Sequence, residues 1–168
     1  LCFRRAKQEF KRGEQMLSYT VTATNKLNDM TKTDERDAER VMCVKNFYEE
    51  KELKVANGTM GTKTNNVVTY DNGYTDLKGR TRSCPSRCVT IHKSQGNEFE
   101  SRGIVVVVTA STRIPLELMY TAISRFKNSV VVIGTKSTLK NAFLGTFSYD
   151  DVDDELLREL GYVTSSTR

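Results

Sequence analysis

Gly103-Ile104-Val105-Val106-Val107-Val108-Thr109 is a run of β-branched residues behind a glycine, with no polar alternation. A strand with water on one face alternates, so an unbroken run fits a strand covered on both faces, as at the centre of a parallel sheet. Downstream, Pro115 has a preset φ and no N–H to lose, so it opens a helix expected to run to about Phe126. Ser129 to Gly134 reads as a second buried strand and Ser137 to Leu144 as a closing helix. Upstream, Arg87 to His92 reads as a strand entering a loop. Strands alternating with helices need right-handed parallel crossovers, which makes the expected fold a layered α/β domain.

Further towards the N-terminus the pattern changes. Between Leu53 and Arg80 the period falls to two: Leu53 and Val55, then Val67, Val68 and Tyr70, then Tyr74 and Leu77, are separated by Asn57-Gly58, Asn65-Asn66 and Asp71-Asn72-Gly73. This reads as a meander of short antiparallel strands too small for a large core, hence an insertion in the α/β body. Arg4 to about Tyr19 is expected as an amphipathic helix behind a short N-terminal strand, and residues 20 to 37 as loop. Asp34 to Glu50 is expected as a helix capped by Asp34 or Thr33, with Ala38, Val41, Met42, Val44, Phe47 and Tyr48 on one face. Asp150 to Leu160 is expected as an exposed acidic helix. The resulting division is a layered lobe over 1–50 and 86–145, a small β-barrel-like subdomain over 51–85 and an acidic tail over 146–168.

Composition agrees with a globular body. The chain has 168 residues, 38% hydrophobic and 28% charged, with 26 Lys and Arg against 21 Asp and Glu for a net charge of +5. Its strictly apolar runs are far shorter than the roughly 20 residues of a membrane-spanning helix. From Thr146 to Arg168 the net charge is −4, leaving +9 on residues 1 to 145. A basic body suits a polyanion, because Lys and Arg neutralise phosphates and release counterions. The opening Leu1-Cys2-Phe3-Arg4-Arg5 has neither an initiator Met nor an apolar signal core, so a piece of a longer intracellular protein is expected. Cys2, Cys43, Cys84 and Cys88 with the single His92 do not make a zinc pattern, and thiols in a reducing compartment are expected, with no metal site.

Two segments come near a phosphate-binding loop and fail. Gly58-Thr59-Met60-Gly61-Thr62-Lys63-Thr64 has Thr62 where the residue before the lysine must be Gly, and Gly134-Thr135-Lys136-Ser137 fails the same test at Thr135. The chain is therefore not expected to hold a nucleoside triphosphate by itself. Val89-Thr90-Ile91-His92-Lys93-Ser94-Gln95-Gly96-Asn97-Glu98-Phe99 differs in kind. It is a strand followed by a polar turn with a cation, a Gly, an acid and an apolar anchor, which is what a loop at the carboxyl end of a parallel strand needs to meet ligands.

This segment resembles motif V of superfamily one helicases in the form used by the RecD-like and Dda-like group. Leu118-Met119-Tyr120-Thr121-Ala122-Ile123-Ser124-Arg125 resembles motif VI of the same helicases, and the strand from Val130 to Ile133 follows as it does there. Phe126 departs from the pattern, since a small residue is usual at that position. Asn57-Gly58-x-x-Gly61 ahead of the meander is similar to the small barrel inserted before motif V, and Leu1 to Phe10 is similar to motif IV, with Arg4 or Arg5 its cation. The likeness spans about residues 50 to 140.

The resemblance implies a RecA-like second motor lobe of an ATP-dependent DNA helicase, with ATP and Mg2+ held mainly by a first RecA-like lobe that carries the Mg2+ ligands. It implies Arg125 as an arginine finger, Gly96, Glu98 and Gln95 facing the nucleotide with Arg4 or Arg5, and Thr90, His92, Lys93 and Ser94 facing a single-stranded nucleic acid. DNA is favoured, movement is 5′ to 3′, and the processes served are DNA replication and repair; no membrane partner is implied. An RNA helicase of the same superfamily and a single-strand-binding module without hydrolysis are the alternatives. Arg125 and Glu98 speak against the second, since a pure binder has no use for a finger.

Overall fold

The computed structural model describes residues 2–11, 13–32, 38–108 and 114–143. They form α1 (Cys2–Glu9), β1 (Gln15–Ser18), α2 (Val21–Met30), β2 (Glu39–Cys43), β3 (Phe47–Glu49), β4 (Glu52–Val55), β5 (Met60–Thr64), β6 (Val67–Tyr70), β7 (Thr75–Asp76), β8 (Ser83–Pro85), β9 (Cys88–Thr90), a 3-10 turn (His92–Ser94), β10 (Gly103–Val106), α3 (Leu116–Ser124), β11 (Val130–Ile133) and α4 (Lys136–Phe143). Two compact units result, one made of Leu1–Leu27 with Val89–Arg168 and the other of Asn28–Cys88.

The first unit is the layered α/β body. Its sheet has the order β11-β10-β1-β9, and β10 pairs in parallel with both β1 and β11. All four residues of β10 are buried, as the unbroken Val run requires. On this sheet lie α1 and α3, with Ala6, Leu118, Met119 and Ala122 buried, and α4 packs beside α3 with Leu139 and Ala142 buried. Pro115 precedes α3, and Thr135 Oγ1 accepts from Thr138 N at 3.2 Å at the start of α4. Arg102 ties α1 to the start of β10: its guanidinium donates to Glu9 Oε2 at 2.8 Å and Glu14 Oε1 at 3.0 Å.

The second unit is antiparallel. Its larger sheet has the order β7-β6-β5-β2-β8, and β3 and β4 form a separate hairpin. Val41, Cys43, Val55, Val68 and Tyr70 make its core, with Phe47 and Tyr74 against them. Asn65 and Asn66, at φ 49° and 67°, join β5 to β6 in the left-handed pair of a two-residue hairpin turn, a conformation that Asn tolerates well. Asp76 is buried and accepts from the backbone N–H groups of Lys78, Arg80 and Thr81 and from the Thr81 hydroxyl. Burial pushes its carboxyl up, but these donors outweigh it and hold the carboxyl below its ordinary value.

Four expectations are corrected. The helix expected from Arg4 to Tyr19 ends at Glu9, and no strand precedes it among the described residues: Gly13, at φ 90°, breaks the chain, and Gln15 to Ser18 are buried throughout as β1. The loop expected over 20–37 holds α2, whose first turn is capped by Thr20 Oγ1 accepting from Ala23 N at 3.2 Å. The helix expected from Asp34 to Glu50 is β2 and β3, with 33–37 outside the described residues; β2 is paired on both sides, by β5 and β8, and cross-strand pairing overrides a helical spacing. Finally, β5 and β8 join a meander expected to have fewer strands. The acidic segment from Asp150 to Leu160 lies outside the described residues.

Candidate functional site

β9 delivers its loop to the edge of the sheet. Ile91 N donates to Ser18 O at 3.0 Å, so the loop leaves β9 beside the end of β1, and Ile91 itself is buried. The next three residues make a single 3-10 turn. Lys93 N donates to Thr90 Oγ1 at 3.3 Å, while Ser94 Oγ donates to Ile91 O at 2.7 Å. Thr90 and Ser94 are both buried, so these two hydroxyls shape the turn, whereas His92 and Lys93 are exposed on it.

Gly96 then turns the backbone at φ 89°, and a Cβ there would meet open space, so the glycine is required by the turn and leaves its own surroundings clear. Gln95 is exposed. Asn97 N closes the turn on Ser94 O at 3.0 Å.

Beyond the turn, the two helicase-like segments are joined by backbone. Phe99 N donates to Arg125 O at 2.8 Å and Lys127 N donates to Phe99 O at 3.1 Å, a parallel bridge between Phe99 and Phe126. The two rings stand 5.4 Å apart between centroids. At the surface Lys127 Nζ pairs with Glu100 at 2.6 Å and Glu98 at 3.2 Å, and these two carboxylates, Glu100 first, raise its pKa. The α3 helix therefore ends tethered to the loop, and Arg125 stands at the tether.

Arg125 Nη1 donates to Asn97 O at 3.4 Å, and its buried Nε has no hydrogen-bond partner. No carboxylate of the described residues pairs with it. A guanidinium with one long carbonyl contact and no carboxylate among the described residues has donors to spare for an anion such as a phosphoryl group.

Thr90, His92, Lys93, Ser94, Gln95, Gly96, Glu98 and Arg125 thus come together on one loop and the helix end tied to it. Arg4 and Arg5 are instead on α1, both exposed, with Arg5 held by Glu9 at 2.6 Å. Asn97 and Phe99 take part through their backbone, the Asn97 carbonyl accepting from Arg125 and Phe99 making the tether, which residue type alone does not mark. Lys127 is a further participant that charge alone could not single out among 26 cations. Among the described residues no cluster of His, Cys, Asp or Glu has the makings of a metal centre, and no cysteines are joined in a disulfide. No described helix is long and apolar enough to cross a membrane.

No family model matches the chain, and no curated protein matches it. Solved structures do. A Pif1 helicase studied for DNA unwinding at forked duplexes superposes with a TM-score of 0.58 at 16% identity, over 94% of this chain and 46% of that one. A Bacteroides Pif1 helicase in complex with ADP-AlF3 and single-stranded DNA gives 0.57 at 16% identity, over 95% and 48%. A Candida albicans Pif1 helicase gives 0.51 at 16% identity, over 79% and 48%. The chain spans about half the length of each of these neighbours. Its fold is accordingly that of a helicase RecA-like lobe, a parallel-sheet α/β body accompanied by a separate antiparallel unit, shared with structures of Pif1 helicases.

Proposed function

We propose that the chain is the second motor lobe of an ATP-dependent DNA helicase of superfamily one, moving 5′ to 3′ on a single strand. The observation that carries the reading is Arg125: a guanidinium tied by backbone to the motif V loop, with a buried Nε that no described residue satisfies. An arginine held for folding would face a carboxylate, whereas Arg125 has only the long Asn97 carbonyl contact. One held for a transferring phosphoryl group must keep its donors unspent until that group arrives. The superposing Bacteroides helicase binds ADP-AlF3 and single-stranded DNA, which supports the same pairing of ligands for this chain.

In this reading ATP brings the phosphoryl group and Mg2+, the metal held by a first lobe. Arg125 neutralises charge on the phosphoryl oxygens. Gly96 allows close backbone approach, Gln95 flanks it, and Glu98 accepts from ribose hydroxyls, steadied by Lys127. Arg4 and Arg5 remain candidate cations for the nucleotide. His92 and Lys93 contact the strand's phosphates, on a turn built by Thr90 and Ser94. Because the loop and the end of α3 share backbone hydrogen bonds, closing on nucleotide moves the strand-gripping turn with it, which is how two sites couple through one element.

The test is Arg125→Ala in the intact protein. The expected result is a loss of turnover of about 10³ or more, with single-strand affinity retained, since the group acts on transition-state charge. Normal ATP hydrolysis by the variant would remove Arg125 from the site and the motor reading with it.

A further inference from the structure

Tyr19 follows β1 directly, at the same sheet edge as the motif V turn. The Ile91 N to Ser18 O bond sets the chain on either side in register, so that Tyr19 and His92 come out as neighbours, with ring centroids 6.2 Å apart and planes tilted by 43°. Neither ring is spent on the core: Tyr19 is half-buried and His92 exposed. The Tyr19 hydroxyl makes no hydrogen bond with any described residue. Next to this pair in sequence stand the exposed side chains of Lys93 and Val21, the latter 63% exposed on the first turn of α2.

We propose that Tyr19 and His92 form a stacking ledge for one base of the single strand, so that this edge of the lobe grips a base as well as the phosphates. Two adjacent aromatic faces beside a cation are the combination that holds a single-stranded base without reading its sequence, because every base has a π-face and each is followed by a phosphate. A tilted, open pair leaves the Tyr19 face available, where a closed stack between the two rings would not. The inference rests on the single-strand reading above and adds to it a residue outside both helicase-like segments.

The experiment compares two strands of equal length, oligo-dT and a strand of the same length whose central nucleotides are abasic, titrated without nucleotide against the intact protein and its Tyr19→Leu and Tyr19→Phe variants. Stacking predicts that Tyr19→Leu weakens oligo-dT binding by roughly 5- to 100-fold while leaving the abasic strand unaffected, and that Tyr19→Phe keeps the affinity of the unaltered protein. An unchanged ratio of the two affinities in Tyr19→Leu overturns the ledge and leaves the single-strand reading standing. Equal losses on both strands also overturn it, because they mark Tyr19 as a residue that merely supports the turn. If the unaltered protein binds neither strand, the single-strand reading itself fails.

Discussion

The ring of Phe126 lies against Gly103 in the space a Cβ would need: a methyl built on that glycine would overlap three ring carbons. Phe126 is where the helicase-like pattern of the preceding helix normally has a small residue, and Gly103 is the first residue of the central strand β10. The glycine accommodates the departure at Phe126. A large side chain enters under the sheet because the strand offers no side chain there, and the same ring reaches Phe99, so the tether that carries Arg125 is packed as well as hydrogen-bonded.

That relationship predicts strong coupling. Gly103→Ala should destabilise the lobe by about 1 to 3 kcal/mol, the usual cost of overpacking, and Phe126→Ala by about 3 to 5 kcal/mol through the cavity it leaves. The double variant should be markedly less destabilised than the sum of the two, measured by chemical unfolding. Additive losses would show that the glycine and the ring do not compete for one volume.

If the turn from His92 to Ser94 holds the single strand as proposed, Lys93→Ala should lower the salt dependence of single-strand binding by about one phosphate contact. Thr90→Ala with His92→Ala should weaken binding about equally for unrelated sequences. Titrations at several salt concentrations with two unlike oligonucleotides decide it, and an unaltered affinity and slope for all three changes would move the strand elsewhere.

Asp76 makes the second unit sensitive to acid. Its carboxyl is held below its ordinary value in the folded chain, so its contribution is present above the unfolded value of about 4 and is lost as pH falls through the lower folded value. Asp76→Asn should cost about 1 to 3 kcal/mol at pH 7, because an amide nitrogen replaces one of the two carboxylate oxygens that accept from Lys78, Arg80 and Thr81. The gap between the variant and the unaltered protein should narrow in unfolding curves taken near pH 3. A gap that stays constant with pH would mean that the charge is not what the loop uses.

Purified residues 1 to 168 should hydrolyse ATP no faster than a buffer blank, because neither Gly58 to Thr64 nor Gly134 to Ser137 makes a phosphate-binding loop. The first enters β5, where Gly61 is pressed against the backbone of Thr69 and Tyr70, and the second opens α4 with Gly134 against Leu139. Steady hydrolysis by the chain on its own would overturn its reading as half of a two-lobe site.

The strands and helices of the C-terminal half were legible because each has a local cause. The valine run reports burial on both faces, Pro115 marks a helix start, and the two helicase-like segments carry their chemistry in contiguous residues. The errors cluster before residue 50, where local cause and tertiary demand diverge. Thr- and Asn-rich α2 has low helix propensity and forms around a Thr20 cap and the buried Ala23 and Leu27. Ala38, Val41, Met42 and Val44 satisfy a helical spacing equally well, yet Val41 and Met42 lie in a strand because β5 and β8 offer ladders on both sides. By itself the sequence determined which residue types stand at the loop and the helix end, since that information is local. Only the tertiary structure decided that Phe99 is hydrogen-bonded to the Arg125 backbone, that the Arg125 Nε is left without an acceptor, and that Tyr19 meets His92. The first and the last join residues 26 and 73 positions apart in the sequence, and such meetings follow from strand order and register rather than from any residue's own preference.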